Sequence, residues 1–170
     1  MRNIILIGMM GSGKTSIAHE LELSYGYDFV DTDDLIVKKQ GMSINEIFAT
    51  QGEEVFRDME TALIRDDLAK LTNTVVSCGG GTPLRPENRE LLKEAGTVVW
   101  LHTSVDEIFK RIKGDKSRPL LNCEDPESRL RDLMDERSPI YRDCANFSVF
   151  TDGKDPEEIA KEIYRFVNPE

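Results

Sequence analysis

Residues 8–15 of the chain read GMMGSGKT. This is the spacing G-x-x-x-x-G-K-[ST], in which glycines allow a tight turn and backbone N–H groups surround the phosphates of a nucleoside triphosphate. Lys14 is expected to reach the β- and γ-phosphates, and the Thr15 hydroxyl to bind Mg²⁺. A short apolar run precedes the loop and a helical pattern follows it, so the phosphates would lie at a helix N-terminus. The pattern predicts a nucleoside triphosphate site rather than a plain glycine-rich turn. Its predicted nucleotide-binding residues are Gly11, Ser12, Gly13, Lys14, Thr15 and Ser16.

Length, charge and cysteine content limit the class of protein. A chain of 170 residues suits one domain, and it holds neither a signal-peptide pattern nor an apolar stretch near the ~20 residues of a membrane span. The formal net charge of -10 argues against a general surface for nucleic acid or anionic membrane. Three cysteines without metal-ligand spacing favour a reducing cytoplasm, and we expect Cys78, Cys123 and Cys144 to be small buried apolar side chains.

Short apolar runs alternate with longer amphipathic stretches along the chain. Strands that alternate with helices pair in parallel through right-handed crossovers. The pattern therefore predicts an α/β fold, a three-layer α/β/α sandwich around a five-stranded parallel sheet, as one domain over residues 1–170. Ligands of such sheets bind beyond the carboxyl ends of the strands. The predicted strands are Ile4–Ile7, Asp28–Asp31, Thr74–Cys78, Thr97–Leu101 and Ser148–Phe150. The predicted helices are Thr15–Tyr25, Asp33–Gln40, Ile44–Thr50, Glu53–Leu71, Pro86–Ala95, Ser104–Ile112, Pro126–Arg142 and Pro156–Val167.

Two segments fit this alternation poorly. Residues 33–60 place several helices between the second and third predicted strands. Residues 114–126 are polar and contain Pro119 and Pro126, between two predicted helices. Long irregular segments in compact domains are usually lids, binding loops or disorder, so both are candidates for contact with a ligand.

Acidic residues stand at the carboxyl end of the second predicted strand, in the segment FVDTDD. Many phosphate-loop enzymes direct Mg²⁺ with an Asp at the end of the next strand along the chain, but here that strand ends without an acid. Asp31 is then the nearest candidate for the metal, and Asp33 could face the acceptor and receive a hydroxyl proton. Helix capping is the alternative role, since Thr32 or Asp33 could cap the following helix, and we assign capping to Asp34.

Glycines and arginines form a further set of candidates. Gly79-Gly80-Gly81 follows the third strand and offers backbone that a small ligand can approach closely, or else is a flexible turn. Arg57 lies beside the apolar face of a helix, where Glu60 at i+3 could fix its rotamer. Arg118 and Arg137 lie in the irregular segment and in a late helix. Each alone is more often a surface charge, but in a triphosphate site such a set could stabilise a transferring phosphoryl group and hold an anionic acceptor.

The chain resembles the shikimate kinases over essentially its full length. The order and spacing of the shared motifs are more specific than any one of them. The resemblance implies a phosphate-loop NTPase fold similar to the nucleoside monophosphate kinases, with an acceptor-binding helical region at 33–60 and a lid at 113–125. It also implies transfer of the ATP γ-phosphoryl group to the 3-hydroxyl of shikimate. The motifs are GMMGSGKT at 8–15, DTD at 31–33, MSINEIF at 42–48, GEEVFRDME at 52–60, GGG at 79–81, RPLL at 118–121 and ERSPIY at 136–141.

The same resemblance implies roles for single residues on the acceptor side. Arg57 and Arg137 look like a clamp for the shikimate carboxylate, and Asp33 like the partner of the ring hydroxyls and the base. The glycines would complete the acceptor site. The residues that match shikimate-binding positions are Asp33, Arg57, Gly79, Gly80, Gly81 and Arg137.

On the nucleotide side, Thr15 resembles a direct ligand of Mg²⁺ and Asp31 a ligand through water. Lys14 and Arg118 resemble contacts to the phosphates, with Arg118 brought in by the lid. Arg111 matches a residue that lies against adenine. Lys154 stands where some members have an Arg on the other adenine face, and a Lys stem stacks less well than a planar guanidinium. The implied ligands are shikimate, ATP and Mg²⁺, and the resemblance implies that the protein is a monomer. It also implies catalytic roles for Asp33, Lys14 and Arg118.

Two other functions remain open from the sequence. A kinase of the same architecture could act on gluconate or a nucleoside monophosphate, and since gluconate also carries a carboxylate, Arg57 and Arg137 do not exclude it. A nucleotide-binding switch without catalysis would instead leave the set of Asp33, Arg118 and Arg137 unexplained. Acceptor competition would separate the kinases, and tight ATP binding without phosphoryl transfer would favour the switch.

Overall fold

The computed structural model of the protein describes residues 1–113 and 123–170. In this part of the chain, five strands alternate with helices, as the hydrophobic pattern predicts. The strands are β1 (Ile4–Ile7), β2 (Asp28–Asp31), β3 (Thr74–Ser77), β4 (Thr97–His102) and β5 (Phe147–Phe150). The α-helices are α1 (Lys14–Tyr25), α2 (Thr32–Gln40), α3 (Ile44–Gln51), α4 (Glu53–Asp66), α5 (Pro86–Ala95), α6 (Val105–Ile112), α7 (Pro126–Cys144) and α8 (Pro156–Val167).

The strands form one parallel sheet in the order β2-β3-β1-β4-β5. Ile5 on the central strand pairs with Val76 on one side and Val98 on the other. The chain leaves β1 towards the β3 side and later returns to β4 on the opposite side, so the strand order reverses next to β1. The crevice at the carboxyl end of such a reversal is where ligands bind in open α/β sheets. The predicted fold class is confirmed.

Helices cover both faces of the sheet, which makes three layers. Alternate residues of β1 point to opposite faces, so that Ile4 and Leu6 join one core and Ile5 and Ile7 the other. Helices α1 and α8 cover the first face, and α5, α6 and α7 cover the second together with the end of α4. Both cores pack along the whole length of β1 and give the residues that follow it a rigid base.

The segment between β2 and β3 folds into three helices with a small core of their own. This core consists of Ile36, Ile47, Phe56 and Leu63, from α2, α3 and α4. Helix α4 also reaches the sheet, since Ile64 joins the core on the second face and Arg57 lies against Gly81, shortly after β3.

Apart from shifts of one residue at the ends of other helices and strands, three details differ from the sequence predictions. The helix predicted to run to Leu71 ends at Asp66, and a 3-10 turn over Leu68–Lys70 follows, because the buried Leu68 turns into the core. Helix α7 continues beyond Arg142 to Cys144, which is also part of that core. Cys78 and Cys144 are buried as expected, but Cys123 is exposed, so that expectation was wrong for Cys123. Within residues 1–113 and 123–170, none of the helices combines the length and the apolar character needed to cross a bilayer.

Candidate active site

The loop after β1 has backbone that only glycine adopts easily. Gly8, Gly11 and Gly13 have φ angles of +148°, +74° and +94°. A Cβ on Gly11 would also stand 2.8 Å from Cγ2 of Ile112, so the loop packs closely against α6. Gly13 precedes the first residue of α1, and among the described residues no side chain caps this N-terminus. The first amides of α1 are therefore directed into the crevice, where an anion can accept their hydrogen bonds.

Lys14 lies across this loop. Its Nζ donates to the backbone oxygens of Gly8 at 2.7 Å and Met9 at 2.9 Å. The ammonium group is thus held over the mouth of the loop, at the position from which it can reach bound phosphates.

Two adjoining cavities open at this edge of the sheet. The first, about 420 Å³, is lined by the phosphate loop together with Asp31, Asp33, Gly79 and Gly80. The second, about 280 Å³, runs along the start of α1 to the loop before α8. Residues of both the loop and α1 line the two cavities, so together they form one continuous cleft. The residues common to both are Ser12, Gly13, Ser16 and Arg111.

The second cavity contains the two cations expected near adenine. Arg111 Nη1 donates to the Gly11 carbonyl at 3.1 Å, and its Nε lies 3.3 Å from Glu107. Lys154 forms an ion pair with Glu162 at 2.8 Å. The structure thus brings Arg111 and Lys154 to the same cavity, with Pro156 beside them.

The carboxylates after β2 have separate local roles. Asp31 is the N-cap of α2, since its Oδ1 accepts from the backbone N–H of Asp34 at 3.1 Å. The cap is therefore neither Thr32 nor Asp33, and the capping role assigned to Asp34 was wrong: Asp34 provides the N–H that is capped. Thr32 instead accepts from the Gly79 N–H at 3.1 Å, which ties the start of α2 to the glycine segment. Asp31 and Thr15 line the same cavity, so both can supply oxygen ligands to one cation.

Asp33 has a strongly perturbed electrostatic environment. Burial raises the pKa of its carboxyl to about 6, and the negative charges of Asp31 and Glu60 add to the effect, while Lys14 and Arg57 oppose it. Its Oδ1 is buried and has no hydrogen-bond partner among the described residues. A carboxylate with a spare oxygen and a pKa near neutrality is suited to accept a proton from a bound hydroxyl group.

Each glycine of Gly79-Gly80-Gly81 leaves room for one predicted acceptor residue. A Cβ on Gly79 would stand 2.8 Å from Oδ1 of Asp33, and a Cβ on Gly80 would stand 3.0 Å from Nη1 of Arg137. A Cβ on Gly81 would stand 2.4 Å from Nη2 of Arg57. The missing side chains allow one carboxylate and two guanidinium groups to converge against the end of β3.

Arg57 and Arg137 are both nearly buried. The Arg57 side chain is 11% exposed, and its Nη1 donates to Glu60 at 2.6 Å and its Nη2 to Glu53 at 3.2 Å. This bears out the expected contact with Glu60. The Nε of Arg57 is buried without a partner among the described residues, so a strong donor remains for a ligand.

Two contributors were not predicted from the sequence. Tyr141, one helical turn after Arg137, donates its hydroxyl hydrogen to the Gly80 carbonyl at 2.7 Å. Thr82, directly after the glycines, donates to Glu60 at 2.5 Å. The spacing of Tyr141 from Arg137 would have put both on one face of α7, but nothing in the sequence gives the partner of either hydroxyl. Arg118 lies in residues 114–122, outside the described part of the chain.

Fold and site together are those of a phosphate-loop kinase for small molecules. The sequence model of one family, described as "Shikimate kinase", matches residues 10–168. A shikimate kinase from Thermodesulfovibrio yellowstonii is 44% identical over 165 residues, covering 97% of this chain and 94% of that protein. A shikimate kinase from Geobacter sulfurreducens is 45% identical over 166 residues, covering 98% and 91%.

A solved structure gives the same result. The shikimate kinase from Acinetobacter baumannii in complex with shikimate has a TM-score of 0.91 and 38% identity, covering 98% of this chain and 93% of that one. The chain belongs to the shikimate kinase family, as the sequence motifs predict.

Proposed function

We propose that the protein transfers the γ-phosphoryl group of ATP to the 3-hydroxyl of shikimate, producing shikimate 3-phosphate and ADP. The observation that carries this proposal is the convergence of Asp33, Arg57 and Arg137 on the three glycines, beside the phosphate loop. Two guanidinium groups and a carboxylate suit an acceptor that has both a carboxylate and hydroxyl groups. Family membership supports the same substrates and does not favour gluconate, the alternative acceptor.

On the acceptor side, Arg57 and Arg137 hold the shikimate carboxylate, which we call the carboxylate clamp. The unpaired Nε of Arg57 supports this role, since a charge-assisted hydrogen bond would satisfy it. Asp33 orients the ring hydroxyls and accepts the proton of the attacking hydroxyl. With a pKa of about 6, its carboxyl is largely ionised at neutral pH and still basic enough to take that proton.

On the nucleotide side, the loop amides and Lys14 hold the phosphates. The nucleotide-binding set is Gly11, Ser12, Gly13, Lys14, Thr15, Ser16, Arg111, Arg118 and Lys154. Arg111 and Lys154 flank adenine in the second cavity, which the position of both side chains supports. Phosphoryl transfer needs mainly positioning and charge stabilisation, and the loop amides together with Lys14 can contribute to both.

A Mg²⁺ ion fits beside the loop, because the Thr15 hydroxyl and the Asp31 carboxylate are hard oxygen donors on one cavity. Bound there with ATP, it would neutralise charge on the phosphates. Thr15 would hold it directly. Asp31, one of whose oxygens caps α2, would hold it through water.

Several further sequence predictions stay predictions. We infer that residues 33–60 form the acceptor-binding region of a single kinase domain, which the separate core of α2, α3 and α4 supports. A lid at 113–125 that brings Arg118 to the phosphates lies almost wholly outside the described residues. We expect a monomer in the cytoplasm, with no nucleic-acid or membrane partner. The acidic net charge of -10 and the free cysteines support this expectation.

The test is a coupled ADP-release assay with Mg²⁺ and ATP, run with shikimate, gluconate, quinate or AMP at equal concentration. Release that depends on shikimate alone is the expected result. ADP release only with another acceptor would overturn the acceptor assignment. No ADP release with any of the four acceptors, from a protein that still binds ATP, would favour a nucleotide-binding switch. Asp33→Asn is the matched control, since it keeps the side-chain size but should lower shikimate-dependent release by about 10²–10⁴-fold.

A further inference from the structure

Glu60 is a buried carboxylate with both oxygens engaged. Its side chain is 1% exposed; Oε1 accepts from Arg57 Nη1 at 2.6 Å and Oε2 accepts from the Thr82 hydroxyl at 2.5 Å. We propose that Thr82 is a positioning residue for acceptor binding: its hydroxyl fixes the rotamer of Glu60, and Glu60 in turn directs Arg57 towards the acceptor carboxylate. This inference rests on the proposed function, in which Arg57 belongs to the carboxylate clamp.

Thr82 is itself held from several directions. It is completely buried, and its backbone N–H donates to the Gly79 carbonyl at 3.0 Å. Its own carbonyl accepts from Nδ2 of Asn88, another completely buried residue, at 3.0 Å. Asn88 Oδ1 accepts from the Thr61 hydroxyl at 2.7 Å, on the same helix as Glu60. The hydroxyl of Thr82 is therefore presented to Glu60 at a fixed point between α4, α5 and the glycine segment.

The direction of Arg57 depends on this fixed point. Its Nη1 is tied to Glu60, and Nε, which has no partner among the described residues, lies on the same planar group. A rotation of the Glu60 carboxylate would therefore also turn Nε. Glu53, whose side chain is 60% exposed, is a competing partner for Arg57. Once Thr82 no longer holds Glu60, we expect Arg57 to sample orientations directed at Glu53 and away from the acceptor.

A purely structural role for Thr82 makes a different prediction. If its hydroxyl only satisfied a buried carboxylate, its loss would lower thermal stability and leave the KM for shikimate unchanged. A positioning role raises that KM and leaves the KM for ATP unchanged, because neither Thr82 nor Arg57 lines either of the two cavities. The two KM values therefore separate the roles.

The experiment compares Thr82→Val, which removes the hydroxyl at nearly constant volume, with Thr82→Ser, which keeps it. Steady-state ADP release is measured with shikimate varied at saturating ATP, and then with ATP varied at saturating shikimate. We expect Thr82→Val to raise the KM for shikimate about tenfold and to leave that for ATP within about twofold. Thr82→Ser should restore the wild-type KM. Should Thr82→Val fail to fold, Thr82→Ala removes the same hydroxyl with less bulk.

Thr74→Val is the control variant. Thr74 is also buried, and its hydroxyl donates to the Thr72 carbonyl at 2.9 Å, at the opposite end of β3 from the site. It should leave both KM values at the wild-type level.

Measuring Thr82→Val in an Arg57→Ala background tests whether Thr82 affects the KM for shikimate through Arg57. There Thr82→Val should cause no further rise in the KM for shikimate. Unchanged shikimate KM in Thr82→Val, an equal rise in both KM values, or a failure of Thr82→Ser to restore binding would each overturn the inference. A wild-type enzyme without shikimate-dependent ADP release would overturn the proposed function instead.

Discussion

Gly81 lies so close to Arg57 that the smallest side chain should disturb acceptor binding. In Gly81→Ala, the new Cβ would stand 2.4 Å from Nη2, 2.5 Å from Nη1 and 2.6 Å from Cζ of Arg57. Ordinary van der Waals contacts begin at 3.4 Å, so the guanidinium must move by about 1 Å. The backbone at Gly81 has φ −93° and ψ −2°, which alanine adopts without strain. The substitution should therefore act on the Arg57 side chain rather than on the local backbone.

The magnitude follows from that displacement. A misplacement of about 1 Å in a positioning group costs about 10²-fold in rate, which is about 2.7 kcal/mol of transition-state stabilisation. We expect Gly81→Ala to lower kcat/KM for shikimate by about 100-fold and to leave the KM for ATP within about twofold. Gly80→Ala should cost less, about threefold to tenfold, because its Cβ would stand 3.0 Å from Arg137 and requires a smaller shift.

The assay is again coupled ADP release, with thermal denaturation of each variant to confirm folding. Gly81→Ala is also measured in an Arg57→Ala background, where the clashing side chain is absent and the glycine substitution should add nothing. The reasoning is refuted if Gly81→Ala keeps kcat/KM for shikimate within about threefold, or if it costs as much without Arg57 as with it.

Three further predictions concern Asp33 and Tyr141. Because burial raises the pKa of Asp33 to about 6, kcat/KM for shikimate should fall about tenfold per pH unit below that value, and a flat profile down to pH 5 would contradict Asp33 as the base. The raised pKa also means that the folded state binds this proton more tightly than the unfolded state does, so stability falls as pH rises from about 4 to about 6. Asp33→Asn should therefore increase the free energy of unfolding by about 1–3 kcal/mol at pH 8 and by less at pH 5, as measured by urea denaturation. Tyr141→Phe removes the hydrogen bond to the Gly80 carbonyl and should raise the KM for shikimate about threefold to tenfold. The control Tyr27→Phe, which removes the hydroxyl that accepts from Asn168 at 3.1 Å, should leave that KM unchanged; equal effects of the two variants would mean that Tyr141 has only a structural role.

Local features of the chain could be predicted because the residues that determine each feature are neighbours in the sequence. The phosphate loop needs glycine where φ is positive at positions 8, 11 and 13, and Lys14 follows at a fixed spacing. Alternation of apolar runs with amphipathic stretches leads to a parallel sheet with right-handed crossovers. The fold class, the family and the position of the phosphate loop could thus be predicted from the sequence, while helix ends such as Asp66 were decided by the packing of single residues such as Leu68.

The proposed acceptor side depends on contacts between distant segments. The sequence by itself determined which residue types are available there: Asp33, Arg57, Arg137 and three successive glycines. Only the tertiary structure decided that each glycine faces one of those side chains. The same holds for the Thr82 and Tyr141 hydroxyls, whose partners lie 22 and 61 residues away along the chain. Such pairs are set by how α4 and α7 pack against the end of the sheet, and that packing is fixed by the cores as a whole rather than by any local pattern.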